Sequence, residues 1–194
     1  MANSVHGAAS DDNSGVADVQ PATTRAVDAV ILVGGRGTRL RPLTIGTPKP
    51  MLPTANHPFL QHLLARIKAA GITHVVMSTS FKAEIFEEYF GDGSDMGLEI
   101  EYVVEDTALG TGGGIRNVYD HLRHDTVMVF NGDILSGMDL GGILDTHHSK
   151  DADLTMHLLN VRDPRAFGCV PTDDDGRVLE FLEKTEDPAT NQIN

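Results

Sequence analysis

Cysteine and tryptophan are almost absent from this chain of 194 residues, which contains one cysteine and no tryptophan. The single cysteine, Cys169, excludes an internal disulfide and is typical of a protein kept in the reducing cytosol. No apolar run approaches the about 18 residues that a membrane-spanning helix needs. The first residues lack the early positive charge and the apolar core of a secretory signal. The sequence therefore predicts a cytoplasmic protein with no membrane partner.

Basic residues are also scarce, since 15 Lys and Arg stand against 28 Asp and Glu and give a net charge of −13. Without a basic face, the chain is not expected to bind nucleic acid. Residues 1–26 show no hydrophobic periodicity and are predicted to form a disordered tail. Residues 27–194 are predicted to belong to one domain.

Against this acidic background, one loop is rich in glycine and in positive charge. The apolar run at 30–33, which contains β-branched residues and has no polar face, predicts a strand buried on both sides of a parallel sheet. Gly34, Gly35 and Gly37 follow it and allow backbone amides to approach a ligand closely. Four cations then fall within fourteen positions, so the loop is suited to a polyanion such as phosphate: Arg36, Arg39, Arg41 and Lys49.

Two familiar glycine motifs do not fit this loop. A dinucleotide fingerprint GxGxxG would need a third glycine where Leu40 stands, and several prolines after it, Pro42 and Pro48 among them, prevent an immediate helix. The P-loop pattern GxxxxGK[ST] is absent as well. Neither dinucleotide binding nor P-loop NTP hydrolysis is therefore supported.

Strand and helix patterns alternate along the chain. This alternation predicts an α/β fold with a Rossmann-like, doubly wound and mostly parallel sheet, whose ligands bind beyond the carboxyl ends of the strands. A further strand is expected at 153–161 and a hairpin at 167–183. The alternating strands are expected at 30–33, 74–79, 98–104 and 126–130, the last of them short and buried, and the helices at 59–70, 82–90, 110–122 and 139–148.

Asp133 is the best candidate for a metal ligand. It ends the sequence Asn131-Gly132-Asp133 after the fourth predicted strand. A carboxylate is the hard oxygen ligand that Mg²⁺ prefers, and protein-bound Mg²⁺ is commonly shared with substrate phosphates. The alternative is a hairpin turn, which Asn-Gly favours, but the residues that follow have helical spacing.

The loop from Gly34 to Met51 matches the pattern GGxGTRLxPLTxxxPKPM at every fixed position, and 105–113 matches ExxxLGTxG. With the pair Glu183-Lys184, these motifs resemble the sugar-1-phosphate nucleotidyltransferases over residues 28–194. The resemblance implies Mg²⁺ as cofactor and an in-line attack by a sugar phosphate on the α-phosphorus of a nucleoside triphosphate. The substrates implied are GTP and mannose 1-phosphate, giving GDP-mannose and pyrophosphate.

The resemblance also assigns roles to residues. Arg39 would neutralise the departing pyrophosphate, Lys49 would hold the phosphate where bonds exchange, and Asp133 would anchor Mg²⁺. Lys184 would grip the sugar phosphate, and Glu183 would accept hydrogen bonds from the sugar hydroxyls. The nucleotide-binding residues implied are Gly34, Gly35, Gly37, Thr38, Glu105, Gly110 and Thr111, and those implied near the sugar phosphate are Gly168, Glu183, Lys184 and Asn194.

Glu105 occupies a position where relatives that use thymidine or uridine nucleotides usually carry glutamine. Guanine offers two adjacent donors, N1–H and N2–H₂, which suit an acceptor-only carboxylate, whereas uracil and thymine suit an amide. Glu105 therefore favours guanine, the alternative being a solvated carboxylate at a strand end.

Other interpretations remain open. A catalytically silent nucleotide-sugar sensor, acting as a regulatory subunit, could share the fold, and another pair of substrates such as glucose 1-phosphate with a different nucleotide fits the same motifs. Ile193-Asn194 resembles the start of the family's NAGxY segment, so the chain is expected to stop inside the catalytic domain. A second metal-binding aspartate would then lie beyond it, and we expect the 194-residue chain to bind nucleotide weakly and to turn over poorly. The resemblance leaves open a homo-oligomer of the full-length protein.

Overall fold

The computed structural model describes residues 25–107 and 109–194, so most of the predicted tail lies outside the described residues. Within the described part, the backbone amide of Arg25 already donates to the carbonyl of Gly71. The helices are α1 (Phe59–Ala69), α2 (Ala83–Phe90), α3 (Gly110–Asn117) and α4 (Leu140–Ser149). The strands are β1 (Asp28–Leu32), β2 (Pro53–Thr54), β3 (His57–Pro58), β4 (His74–Thr79), β5 (Glu99–Val104), β6 (Val127–Asn131), β7 (Leu159–Asn160) and β8 (Gln192–Ile193).

Four of these strands form one parallel sheet in the order β5-β4-β1-β6. The chain builds outward from β1 to β4 and β5, then crosses back to place β6 on the other side of β1. In such sheets the reversal of strand order leaves a crevice outside the carboxyl ends of the two strands concerned, here β1 and β6. The predicted Rossmann-like parallel sheet is confirmed.

Helices cover both faces of the sheet, as a doubly wound fold requires. Alternate residues of each strand point to opposite faces, so Ala29 and Ile31 pack with apolar residues of α1, α2 and α4, while Val30 packs with Val76 on the face that also holds Val118. None of the helices in the described part of the chain combines the length and the apolarity needed to cross a bilayer.

The prediction of a strand at 153–161 is mostly wrong. Only Leu159–Asn160 is a strand, and it pairs antiparallel with Gln192–Ile193 rather than joining the parallel sheet. Leu154 is 76% exposed, so β-favouring composition alone was not enough where no neighbouring strand in the described residues completes a ladder.

Two other predictions need correction. Strand β6 was expected to be buried, but Val129 on it is 42% exposed, because β6 is an edge of the four-stranded sheet and only Met128 and Phe130 face the main core. The helix expected at 110–122 ends at Asn117, and a separate 3₁₀ turn follows at Tyr119–His121. The four glycines in the first part of α3 lower its helix propensity.

The hairpin predicted at 167–183 is present as antiparallel bridges that join Cys169 to Leu182 and Thr172 to Val178. The backbone of Cys169 exchanges two hydrogen bonds with that of Leu182, at 2.8 and 2.9 Å. Ile193 also bridges to Cys169, so the end of the described chain lies beside this hairpin.

A polar network lies at the opposite end of the sheet, around the buried side chain of Asp28. One carboxylate oxygen of Asp28 contacts Nδ1 of both His74 and His124 at 2.8 Å, and the other accepts the backbone amides of Arg123 and His124. Burial opposes ionisation of Asp28, but these hydrogen bonds outweigh it and lower its pKa to about 2. The network fixes the amino ends of β1 and β4 with the segment before β6.

Candidate nucleotide-binding site

A cavity of about 460 Å³ opens at the carboxyl ends of the parallel strands, where β1 and β6 lie side by side. Segments that are far apart in sequence meet there because parallel strands all end at the same edge. The cavity brings together every predicted catalytic and nucleotide-binding residue: Gly34, Gly35, Gly37, Thr38, Arg39, Lys49, Glu105, Gly110, Thr111 and Asp133.

The glycine loop is held in shape by contacts with its own backbone. Gly37 adopts a left-handed conformation (φ +57°), which lets the chain turn into a short 3₁₀ helix at Thr38–Leu40. The Thr44 hydroxyl donates to the carbonyl oxygen of Gly37 at 2.8 Å, and Lys82 Nζ donates to the carbonyl oxygen of Gly46 at 2.9 Å. The loop is therefore fixed over the cavity.

Lys49 and Asp133 meet directly across the cavity. Nζ of Lys49 lies 2.7 Å from Oδ2 of Asp133, although 84 positions separate them in the chain. Both side chains are partly exposed, at 37% for Lys49 and 41% for Asp133. The cationic loop and the strand-end carboxylate thus form one site.

Asp133 fits a metal that is shared with a ligand rather than one held by protein alone. In the described residues no group of three or more His, Cys, Asp or Glu side chains could enclose an ion. Mg²⁺ is usually bound by one or two carboxylates together with substrate phosphates and water. The single carboxylate of Asp133 beside a phosphate-binding loop suits that second mode.

Glu105 is not the freely solvated carboxylate that the sequence left open. Its Oε1 accepts the hydroxyl of Ser78 at 2.8 Å, and its Oε2 accepts the backbone amide of Leu109 at 3.1 Å. Its own amide donates to the carbonyl of Thr79 at 2.7 Å. The side chain is therefore held at the cavity wall.

The amino end of α3 also faces the cavity, since Gly110 and Thr111 line it. The first amides of a helix have no partner within the helix, and the helix dipole places partial positive charge at this end. Together with Arg39 and Lys49, this end makes the cavity wall favourable to an anion such as a phosphate group.

Comparison with known proteins decides the family. Residues 28–194 match the family described as nucleotidyl transferase. The chain belongs to this family.

Particular relatives of this nucleotidyl transferase are similar over most of its length. It is 67% identical, over 171 residues, to the mannose-1-phosphate guanylyltransferase of Mycobacterium tuberculosis, covering 88% of this chain and 48% of that protein. It is 40% identical to the D-glycero-alpha-D-manno-heptose 1-phosphate guanylyltransferase of Aneurinibacillus thermoaerophilus, covering 81% of this chain and 68% of that protein. The chain thus spans about half the length of the first of these relatives.

A solved structure shares both the fold and part of the sequence. HddC from Yersinia pseudotuberculosis, in complex with GMP-PN, superposes with a TM-score of 0.69 and 29% sequence identity. The match covers 86% of this chain and 73% of HddC.

The residues expected near the sugar phosphate gather elsewhere in this nucleotidyl transferase. Gly168, Glu183 and Asn194 each lie next to a residue of the bridges around Cys169, and Lys184 follows Glu183. A Cβ built on Gly168 would lie 3.3 Å from Oε2 of Glu183. Nζ of Lys184 lies 3.7 Å from Oε1 of Glu183, and both side chains are 67% exposed. None of the four belongs to the lining of the 460 Å³ cavity: Gly168, Glu183, Lys184 and Asn194.

Sequence reasoning missed several cavity residues that the structure reveals. Ser78 and Ser80 line the cavity at the carboxyl end of β4, and Asn131 does so at the end of β6. The Ser80 hydroxyl donates to the carbonyl of Gly34 at 2.7 Å. The run Ser78-Thr79-Ser80 could have indicated these serines from the sequence. It places polar residues at the carboxyl end of an otherwise apolar strand, which is the edge of the sheet where ligands bind.

Proposed function

We propose that this nucleotidyl transferase forms GDP-mannose and pyrophosphate from GTP and mannose 1-phosphate. The observation that carries the proposal is the convergence of Arg39, Lys49 and Asp133 on the cavity that also holds the glycine loop and the amino end of α3. The 67% identity to a mannose-1-phosphate guanylyltransferase supports the choice of substrates. Because the chain spans about half of that relative, the activity is proposed for the protein as a whole.

Different residues of the cavity are proposed to have different roles in an in-line transfer. The amides of Gly34, Gly35 and Gly37, with Thr38, are placed to hold the triphosphate, and Arg39 to neutralise the charge that develops on the departing pyrophosphate. Lys49 is placed to hold the phosphate at which the bonds exchange. Mg²⁺ carried by Asp133 would supply further neutralisation of phosphate charge. The protein's part is to bring two anions together and to orient them.

On the acceptor side, Lys184 would orient the sugar phosphate that attacks the α-phosphorus, and Glu183 would accept hydrogen bonds from sugar hydroxyls. Gly168 and Asn194 lie beside them near Cys169. This second cluster remains a proposal, since these side chains lie outside the lining of the nucleotide cavity.

Guanine is the proposed base because Glu105 presents a fixed carboxylate to the cavity. The contacts from Ser78 and Leu109 leave each of its oxygens able to accept another hydrogen bond. Guanine supplies two adjacent donors for such a pair of acceptors, whereas uracil and thymine supply a single donor flanked by acceptors. The guanine-nucleotide analogue in the complex of the similar HddC supports this choice.

We further propose a cytoplasmic enzyme that requires neither membrane nor nucleic acid. The buried Cys169, the only cysteine of the sequence, and the net charge of −13 support this assignment. Homo-oligomerisation of the full-length protein is a proposal that rests on the family resemblance.

The test is release of pyrophosphate, measured for five nucleoside triphosphates against mannose 1-phosphate, glucose 1-phosphate and galactose 1-phosphate. GTP with mannose 1-phosphate should give the highest rate, and a different best pair would refute the substrate assignment. Binding of GDP-mannose without pyrophosphate release would instead indicate the regulatory sensor. Glu105→Gln should erode the preference for GTP over UTP, because its amide replaces one acceptor by a donor. The matched control is Asp106→Asn, at the exposed residue next to Glu105, and this variant should keep the preference for GTP over UTP.

A further inference from the structure

Ser78 is a buried polar residue at the inner wall of the nucleotide cavity. It is the last but one residue of β4, its exposed fraction is 1%, and the strand pairs it with Leu32 on β1. A serine there costs apolar packing and needs a hydrogen-bond partner. Its hydroxyl finds that partner in Oε1 of Glu105, at 2.8 Å.

The contact between Ser78 and Glu105 is enclosed from behind by α3. A Cβ built on Gly114 would lie 2.8 Å from Oε1 of Glu105 and 3.1 Å from Oγ of Ser78. Only a glycine on α3 leaves room for the pair. Helix α3 therefore packs closely against the carboxylate on the side away from the cavity.

The two oxygens of Glu105 are fixed by different parts of the fold. Oε1 is tied to β4 through Ser78, and Oε2 is tied to the start of α3 through the amide of Leu109. A carboxylate oxygen can accept about two hydrogen bonds. One acceptor position therefore remains on each oxygen, and the plane of the carboxylate is set by two anchors rather than one.

We propose that Ser78 is a positioning residue for base selection: by anchoring Oε1, it orients the carboxylate of Glu105 so that both oxygens face the paired donors N1–H and N2–H₂ of guanine. The inference rests on the proposed function, and it adds a residue outside every motif singled out in the sequence. Without the hydroxyl, Glu105 keeps a single anchor at Leu109 and can rotate about it. Two simultaneous hydrogen bonds to the base then require ordering of the side chain at each binding event.

The experiment measures dissociation constants of GTP, ITP and UTP by equilibrium dialysis for the wild-type protein and for Ser78→Ala. ITP is the informative probe, because hypoxanthine keeps the N1–H donor and lacks the N2 amino group. We expect Ser78→Ala to weaken GTP binding about tenfold, the upper end of the cost of ordering one flexible side chain at each binding event. UTP binding should stay nearly unchanged, and the advantage of GTP over ITP should shrink.

Ser80→Ala is the matched control. Its hydroxyl also lines the cavity, but it supports the carbonyl of Gly34 in the phosphate-binding loop. Its loss should therefore weaken all three nucleotides by a similar factor. Thermal unfolding of each variant shows whether its fold is retained.

The outcomes separate this inference from the function on which it rests. A wild-type protein that binds GTP no better than UTP would overturn both. If the wild-type protein prefers GTP and Glu105→Gln abolishes that preference, the base assignment stands. In that case, the role of Ser78 alone is overturned if a folded Ser78→Ala variant keeps the wild-type ratio of the dissociation constants of GTP and ITP. It is also overturned if the variant binds all three nucleotides more weakly by the same factor.

Discussion

The ion pair between Lys49 and Asp133 leads to a prediction about metal affinity. In the structure the ammonium group of Lys49 lies 2.7 Å from the oxygen of Asp133 that would bind Mg²⁺. A lysine that shares its partner with a divalent cation competes with that cation. We therefore expect Lys49→Gln to bind a divalent ion more tightly than the wild-type protein when no nucleotide is present.

The size of the effect follows from the geometry. A metal ion sits about 2 Å from a carboxylate oxygen, so it would lie about 4 Å from the ammonium group of Lys49. Because both side chains are about two-fifths exposed, a water-like dielectric applies, and a divalent ion meets about 2 kcal/mol of repulsion at this distance. Lys49 can swing partly away, which lowers the cost. The expected gain for Lys49→Gln is therefore about tenfold in affinity, equivalent to about 1.4 kcal/mol.

Mn²⁺ provides the assay, since its free ion is counted by electron paramagnetic resonance without any catalytic turnover. Arg39→Gln is the matched control: it removes a second cation from the cavity lining, and no ion pair joins Arg39 to Asp133 in the described part of the chain. Arg39→Gln should therefore gain little Mn²⁺ affinity over the wild-type protein. Raising the salt concentration should narrow the difference between Lys49→Gln and wild type, because screening weakens charge repulsion at partly exposed sites.

Lys49→Gln should also weaken the binding of the nucleoside triphosphate, because the lysine is then missing from the phosphate site. Tighter Mn²⁺ binding together with weaker nucleotide binding in Lys49→Gln would show that Lys49 and the metal compete for Asp133. Equal Mn²⁺ affinity in wild type and Lys49→Gln would refute the competition. An equal gain in Arg39→Gln would show that only the total charge of the cavity matters.

Two further predictions concern stability. Gly132→Ala should lower the free energy of unfolding in urea by about 1–3 kcal/mol, the range for overpacking, because its Cβ would overlap Cγ1 of Val33. Gly35→Ala, whose Cβ would have nothing within 4 Å, should be nearly neutral, and equal losses in the two variants would contradict the packing argument. Asp28 has a pKa lowered from 3.8 to about 2, so its contribution is complete above about pH 4 and is lost as the pH falls towards 2. Asp28→Asn should therefore reduce the loss of stability on acidification by about 2 kcal/mol, and an unchanged slope between pH 5 and pH 2 would contradict this.

Sequence patterns sufficed for the parts of the site that depend on local chemistry. The glycines and cations between Gly34 and Lys49 follow a buried strand directly, so their place at a strand end could be read without a structure. Asp133 could be placed for the same reason, because it follows β6 closely. In the structure both segments contribute to the lining of the cavity.

The remaining features depend on contacts between distant segments, which periodicity does not encode. Ser78 becomes meaningful only when Glu105, 27 positions later, is seen to accept its hydroxyl. The direct contact of Lys49 with Asp133 is of the same kind. At 153–161 the pattern favoured a strand, yet most of the segment has no neighbouring strand to pair with in the described residues, so tertiary context overrode local preference.

Strand order is what turns these separate motifs into one site. Four parallel strands could be arranged so that β6 lay beside β5, which would place Asp133 at the far edge from the glycine loop. Because β6 instead pairs with β1, Leu32 lies opposite Asn131, and the two segments that leave these strands start side by side. A parallel pair is spaced by about 5 Å, and the loop that follows β1 brings Lys49 back to this edge, where it lines the same cavity as Asp133. The ion pair of Lys49 with Asp133 is therefore a consequence of the topology, and any nucleotide held by the loop must lie next to the carboxylate.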